Sequence, residues 1–599
     1  MPRTGSTAGR NRRTRNLVMK GSETQWAAGR PRQPGWIAFA GAVWLGAVAA
    51  PGAGFWPYLA VWDFNSPTPD GQVTTGRWDP ASGWGLVRPA GGVTGTFGSG
   101  AGSSDPAGWD DSAVVWRGWP AQGTENRGHG WGMTLNGYGW HPEAVVWDWR
   151  VEPGASRHWR LQFRSPTGEW VDGPALQVQP GAWMTGVRVR FPPWCAAMDV
   201  LEVRWVSEFE ASALGRGAAA YVAADDRAPY DPSAGVWLDH VRVVGAPTLQ
   251  TVRVVTWNLS GFGMTNWHVG HPQLSAAARV LRTLTPEVVG FQELPEGWEP
   301  GMTNWVASWW PGATVVVGSF TDGALRLALA TRLPVRAVRS WLRRVPLPAW
   351  GSDDVFTREL LEAEVCVPGC ADPLHLFVMH LKAGTDADSA ARRAAEARAI
   401  SNFFATAWPA RSWGRAVVLL GDCNEDVARP RPGEQGAIRI LGHALPGLTW
   451  LTPVNPVTGD ERTWSIRDQA LRYRFDYLFV GGWLVSNVVA SGVFRSDLTP
   501  GGPAGVQVGD SPAASDHLPV WAAFANPAAV PQVQLVRTET NVWRLIWWTA
   551  SGQRFRVEGS PDLAGWQVLE ETVGSRPGIL ETVVEGDGPT RFFRVLRLD

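Results

Sequence analysis

Thr251-Val252-Arg253-Val254-Val255-Thr256-Trp257-Asn258-Leu259 lies near the middle of a chain of 599 residues. Its β-branched residues alternate with Arg253 and Val255, the mark of a short strand, and the run gives out on an amide just before Ser260-Gly261. A strand that ends on a polar side chain delivers it into a crevice. Asn258 is therefore the first residue in the chain with a claim to chemistry, and the segments after it repeat the pattern.

Val288-Val289-Gly290-Phe291 is a second apolar run, which ends in Gln292-Glu293. A carboxylate there, beside the Asn258 amide, offers the oxygen donors that Mg²⁺ or Mn²⁺ prefers over thiolate or imidazole sites. Leu376 to Met379 forms a third run and gives way to His380-Leu381-Lys382; an imidazole so placed can donate to a phosphate oxygen or serve a hydrogen-bonded core. Ala416 to Leu420 leads into Gly421-Asp422-Cys423-Asn424, where the Gly admits a ligand to the backbone, Asp422 can orient or deprotonate a water, and Asn424 can donate to phosphorus-bound oxygen. Tyr473 to Val480 reads as an aromatic strand with Asp476 in its interior, and a buried acid needs a partner. Ser515-Asp516-His517 supplies it: His517 oriented by Asp476, with Asp516 free to join Glu293 at a metal.

In this order the blocks resemble those of the endonuclease/exonuclease/phosphatase superfamily, the DNase I-like fold, over residues 250–525. The resemblance implies a central α/β four-layer sandwich with its site at the edge of two packed sheets. It also implies roles: Glu293 binding a divalent cation, Mg²⁺ or Mn²⁺, with Asn258 and Asp516; Asp422 orienting the attacking water; Asn424 and His380 on the phosphate; Asp476 paired with His517. Whether His517 or Asp422 is the base stays open. The reaction implied is hydrolysis of a phosphoester, with nucleic acid the first substrate and a small or lipid phosphate ester the alternative.

The flanking text differs. Residues 55–247 are strand-like and rich in turns, opening on Ala60-Val61-Trp62-Asp63-Phe64 and closing on Val236-Trp237-Leu238-Asp239-His240-Val241, which predicts a β jelly-roll-like domain whose first and last strands pair. It resembles accessory domains at the front of secreted nuclease-like proteins. Its Trp residues serve either a sandwich core or a polysaccharide or cell-surface contact, the first being the expectation. Asn526 to Gln532 reads as a linker, and 533–599 as a small C-terminal β-sandwich. A non-catalytic carbohydrate-binding protein built on these ends is the reading from another class, and the intact set of acids and histidines speaks against it.

Thirty-eight Trp against six Tyr, with 69 Gly and 46 Pro, favour many short strands over long helices. A net charge of -1 excludes a globally basic nucleic-acid binder, so a polyanion would need a local patch. Between Gly323 and Ser352 there is no acid, but there are six arginines, among them Arg326, Arg332 and Arg339; with Lys382, Arg326 and Arg332 are the candidate substrate contacts. Trp305 and Trp309, one helical turn apart, predict a helix packed into the core. A basic N-terminus leads into the apolar run Trp36 to Ala50, closing on Ala47-Val48-Ala49; residues 1–50 are read as a signal peptide, giving a secreted protein with no stable membrane span after cleavage. Of four cysteines, Cys366 and Cys370 flank a hairpin tip and could close a small loop, whereas Cys423 is expected to be a buried thiol.

Overall fold

The computed structural model describes residues 57–105, 111–408, 415–468, 470–498, 505–529 and most of 531–598. The segment read as a signal peptide lies outside the described residues. Among the described residues no helix is long and apolar enough to cross a membrane.

The central domain opens with β1 (Thr251–Asn258), followed by α1 (Pro272–Leu284), β2 (Val288–Pro295), α2 (Glu299–Trp309), β3 (Thr314–Val317) and β4 (Leu325–Thr331). It continues through β5 (Val335–Trp341), β6 (Leu360–Val365), β7 (Leu374–His380), α3 (Ala387–Thr406) and β8 (Val417–Asp422). The remainder is α4 (Ala437–Gly442), β9 (Thr449–Trp450), β10 (Asp476–Gly481), β11 (Val488–Val493), α5 (Asp510–Ala514) and β12 (Val520–Ala525). Two six-stranded sheets result, ordered β3-β4-β2-β1-β12-β11 and β5-β6-β7-β8-β10-β9.

Alternation explains how these sheets stack. Val252 and Val254 of β1 face Leu376 and Val378 of β7 and Val418 and Leu420 of β8 in one buried cluster, so the sheets share their inner faces. They approach so closely at Gly290 that a Cβ there would meet Leu420 Cδ1 at 2.2 Å. On the outer face of the first sheet, Val255 and Trp257 pack with Leu274, Leu281, Trp305 and Trp309 of α1 and α2. On the outer face of the second, Phe377, Leu419 and Phe479 pack with Ile400, Phe403 and Phe404 of α3 and with Ile438 of α4. Trp305 and Trp309 are thus core residues, as their spacing suggested. Asp386 caps α3 by accepting from the Ser389 amide at 2.8 Å, a contact worth about 1 kcal/mol.

Before this domain, strands between Tyr58 and Pro247 form one seven-stranded and one five-stranded sheet around a single core. The first strand, Tyr58–Trp62, pairs antiparallel with the last, Val236–Pro247. Trp62, Trp116, Trp131, Trp147, Trp149, Trp159 and Trp205 are fully buried between the sheets, so most of the aromatic content of this segment is packing rather than an exposed platform. After the central domain, two three-stranded sheets enclose a small core of Leu545, Trp547, Phe555, Val557, Val584 and Val595.

Three sequence readings need correction here. The presumed linker begins as packed structure: the Asn526 amide donates to Leu249 O at 3.0 Å and to Pro368 O at 2.9 Å, and Ala528 and Ala529 are buried. Cys366 and Cys370 do sit in the β6–β7 connection, but both are free thiols, Cys366 against Gly83 O and Cys370 against the Asn526 side chain. Asp476 is not interior to its strand; it is the first residue of β10.

Candidate active site

Register decides which residues meet. Parallel β1 and β2 align Asn258 with Gln292, and parallel β7 and β8 align His380 with Asp422, so each pair emerges at the C-terminal ends of its strands. Antiparallel β10 aligns Asp476 with Asp422, and antiparallel β12 pairs Val520 with Thr256, which leaves His517 just ahead of the same edge. Asn258, His380, Asp422, Asp476 and His517 are therefore gathered at one end of the paired sheets by strand direction alone.

Asn258 ties the sheets together there. Its Nδ2 donates to Glu293 Oε1 at 3.1 Å and to Asp422 Oδ2 at 3.0 Å, while its Oδ1 accepts from the Ser260 amide at 2.8 Å. Asn258 thus holds the Glu293 and Asp422 carboxylates in place through its amide nitrogen. Strand β2 does not stop at Phe291; it runs on to Pro295 through a bulge between Phe291 and Leu294, and Glu293 takes φ +62° within it. The bulge turns the Glu293 carboxylate toward Asn258 instead of along the pleat. Among the described residues, Glu293 Oε2 receives only a long 3.4 Å contact from the Phe262 amide.

The Gly421 backbone lies so close to β7 that a Cβ would fall 1.9 Å from Met379 O, at φ +148°. Only Gly permits that approach, and the turn after it lets Asn424, at φ +49°, donate its amide to Asp422 Oδ1 at 2.8 Å. Both imidazoles face the other oxygen: His380 Nε2 stands 3.5 Å and His517 Nε2 3.7 Å from Asp422 Oδ2. His517 Nδ1 lies 2.8 Å from Asp476 Oδ2, which also accepts from Thr463 Oγ1 at 2.6 Å. Asn424 Nδ2 donates to Leu381 O at 3.3 Å, and Lys382 anchors its amide on Glu396.

Burial and neighbours set the charges. Burial drives Asp422 up. It would lower His517, but the Asp476 and Asp422 carboxylates outweigh it and raise His517 above the ordinary imidazole value. Burial, reinforced by Arg358, His517 and Lys382, holds His380 well below that value; this neutral ring has no hydrogen-bond partner among the described residues. Burial would raise Asp516, yet the His517 charge, bonds from Ser260 and Trp464, and Arg467 bring it below the usual carboxylate range.

Several supports carried no sequence signal. Thr463 lies in an irregular loop, yet it holds Asp476. Ser515 Oγ donates to Asn258 O at 2.7 Å and accepts from the His517 amide at 3.0 Å. Trp464 Nε1 donates to Asp516 Oδ2 at 3.1 Å, and Arg467 donates to Ser260 Oγ at 3.1 Å. The buried Arg358 donates to His380 O at 3.2 Å from a segment with no pattern of its own.

Three of the six arginines in the row, Arg326, Arg332 and Arg339, are paired with acids. Arg326 is at the catalytic end of β4, opposite Leu294, but pairs with Glu299 at 2.6 Å and Glu296 at 3.6 Å. Arg332 follows Thr331, which pairs with Val288 at the far end of β2; there it meets Asp199 and lies 4.1 Å over the Tyr138 ring of the N-terminal domain. Arg339 is held by Glu364 and Glu362.

Two packed sheets that gather carboxylates and imidazoles at one edge suit the hydrolysis of a phosphoester. Residues 255–517 match the Endonuclease/Exonuclease/phosphatase family, and the central domain belongs to that superfamily of hydrolases acting on phosphoester bonds. Among solved structures, TDP2 of D. rerio complexed with single-strand DNA product is 15% identical, covering 46% of this chain and 99% of that one at a TM-score of 0.33. The 3′ phosphatase NExo from Neisseria, bound to a product DNA hairpin, is 17% identical, with coverage of 46% and 100% and a TM-score of 0.32. A family protein from Leptotrichia buccalis is 14% identical, again at 46% and 100% coverage and a TM-score of 0.32. No curated protein matches the chain.

Proposed function

We propose that the chain is a secreted, divalent-metal-dependent phosphodiesterase that cleaves nucleic acid. The observation that carries the reading is the Asn258 amide joining Glu293 and Asp422 across the two sheets, with both imidazoles turned to the same Asp422 oxygen. Glu293, with one oxygen almost free, and the depressed Asp516 carboxylate are hard oxygen donors that would hold Mg²⁺ or Mn²⁺. A cation bound there neutralises phosphoryl oxygens and the departing alkoxide. The remaining work falls to side chains. Asp422 orients the attacking water and accepts its proton, His517, steadied by Asp476, and neutral His380 bind the phosphoryl group, and Asn424 adds an amide donor.

Nucleic acid is favoured by the rim. Trp464, Phe475 and Tyr473 stack on one another at 5.3 Å between neighbours, Arg431 lies 5.1 Å over Phe475, and Phe475 is 6.3 Å from His517. Trp464 and Tyr473 are partly exposed, with the buried Phe475 behind them reaching the catalytic histidine, and these two outer rings suit base stacking, with Arg467, Arg472 and Lys382 as nearby cations. Secretion rests on the sequence of residues 1–50.

Purified chain should nick plasmid or degrade single-stranded DNA or RNA with Mg²⁺ or Mn²⁺, and EDTA or Asp516→Ala should abolish this. Turnover of a phosphomonoester or a sphingolipid phosphodiester instead, without nucleic-acid cleavage, would replace the substrate class. Inertness toward all of them would overturn the catalytic reading.

A further inference from the structure

A second acidic cluster lies in the N-terminal domain, on strands that contribute nothing to the active site. Asp105, Asp111 and Asp239 bring one carboxylate oxygen each within 4.8 Å of one another. Asp239 is wholly buried; its Oδ1 accepts the His240 amide at 2.7 Å, while Oδ2 has no hydrogen-bond partner among the described residues. That oxygen and Asp111 Oδ1 aim at one point: a Cβ on Gly100 would fall 2.7 Å from the first and 2.4 Å from the second. Asp105 is steered by Asn65, whose Nδ2 donates to Oδ2 at 2.6 Å and whose Oδ1 accepts the Ser112 amide at 2.7 Å.

Among the described residues neither Asp105 nor Asp239 forms an ion pair. The nearby Arg77 is committed to Asp63 at 2.8 Å, and the charges that weigh on Asp239 and Asp105 are other carboxylates. A buried carboxylate oxygen without a donor is costly, and a hard cation satisfies several at once.

We propose that Asp105, Asp111 and Asp239 form a calcium-binding site that stabilises the N-terminal domain. An all-oxygen donor set suits hard cations rather than metals that prefer thiolate or imidazole. Ca²⁺ takes roughly six to eight oxygens from flexible sets of protein carboxylates and carbonyls, whereas Mg²⁺ keeps most of its waters and is seldom held by an all-protein cage, so a site of three carboxylates with no substrate phosphate suits Ca²⁺ better.

The test uses the full chain, dialysed against EDTA and carrying Asp516→Ala to weaken cation binding at the active site. Calorimetric titration with CaCl₂ should show one site, and Ca²⁺ should raise the melting temperature by several degrees, with MgCl₂ at least tenfold weaker. The further change Asp105→Asn with Asp239→Asn should remove both the heat and the shift while leaving the circular dichroism spectrum unchanged. Should that variant fail to fold, Asp105→Asn alone must weaken Ca²⁺ binding at least tenfold. No heat and no shift with the parent, or full binding by the Asn variants, would overturn the proposal.

Discussion

The side-chain amide of Asn258, on one sheet of the central domain, donates to Asp422, on the other, at 3.0 Å. Few contacts at the site cross between sheets in this way, and this one places Glu293 and Asp422 on a common support. Asn258→Ala would leave a buried Asp422 oxygen short of a donor and Glu293 free to swing. A hydrogen bond to a charged group is worth about 1.5–3 kcal/mol. Chemical denaturation should show a loss of that size with an unchanged circular dichroism spectrum, and kcat should fall by roughly 10–100-fold, since small displacements at a reacting centre are amplified. Full activity in this variant would remove Asn258 from the site.

Thr463 tests whether the Asp476–His517 pair works as an oriented unit. Its hydroxyl donates to the same Asp476 oxygen that holds His517. Thr463→Val keeps the shape and deletes the donor. Stability should drop by about 1–2 kcal/mol. The activity loss should appear in kcat more than in KM, and Thr463→Ser should restore most of it. Equal loss in the Ser variant would mean that the methyl group, not the hydroxyl, matters.

The arginine row and the rim make opposite predictions about substrate affinity. Arg332 is spent on Asp199 and Tyr138 at the far end of the sheet. Arg332→Ala should leave KM for DNA within twofold and weaken the seating of the N-terminal domain, read as a lower melting temperature. Arg467, exposed and bonded to Ser260 beside Asp516, should behave differently. Arg467→Ala should raise KM several-fold, most at low salt, because a lost phosphate contact is an electrostatic loss. A large KM effect from Arg332→Ala would restore the row as a binding surface.

These contrasts show what a linear sequence can and cannot carry. Asn258, His380 and Asp422 stand where an apolar run gives way, and strand direction turns that local sign into a shared edge. Asp476 and His517 were paired from chemistry alone, since a buried acid requires a partner. The Arg332 pairing could not be read, because its acid lies 133 residues earlier in another domain. Nor could the turning of Glu293, which depends on a bulge whose cause is the register against β4. Thr463 and Arg358 sit in loops without periodicity, so their roles exist only once the sheets have packed.

Where the N-terminal and central domains meet, Glu287 gives stability a pH dependence. Its Oε2 accepts the Arg253 amide at 2.6 Å and its Oε1 meets the Tyr138 hydroxyl at 3.2 Å. Burial outweighs these bonds and the nearby Arg253 and Arg332 charges, and pushes the carboxyl from 4.5 up to about 7. A carboxyl whose folded value lies above its unfolded one binds its proton more tightly in the folded chain. Its contribution to stability is therefore full below about 4.5 and is lost as pH rises through 7. Between pH 5 and pH 8 that amounts to roughly 1–3 kcal/mol. Glu287→Gln keeps an uncharged group of the same shape throughout. The variant should match the wild type within about 1 kcal/mol at pH 5 and exceed it at pH 8, with the gap opening between about pH 5 and pH 7 and levelling off above that in urea melts. A gap that does not change with pH would mean that Glu287 is charged in the folded chain across the range and that its bonds, not its burial, govern it.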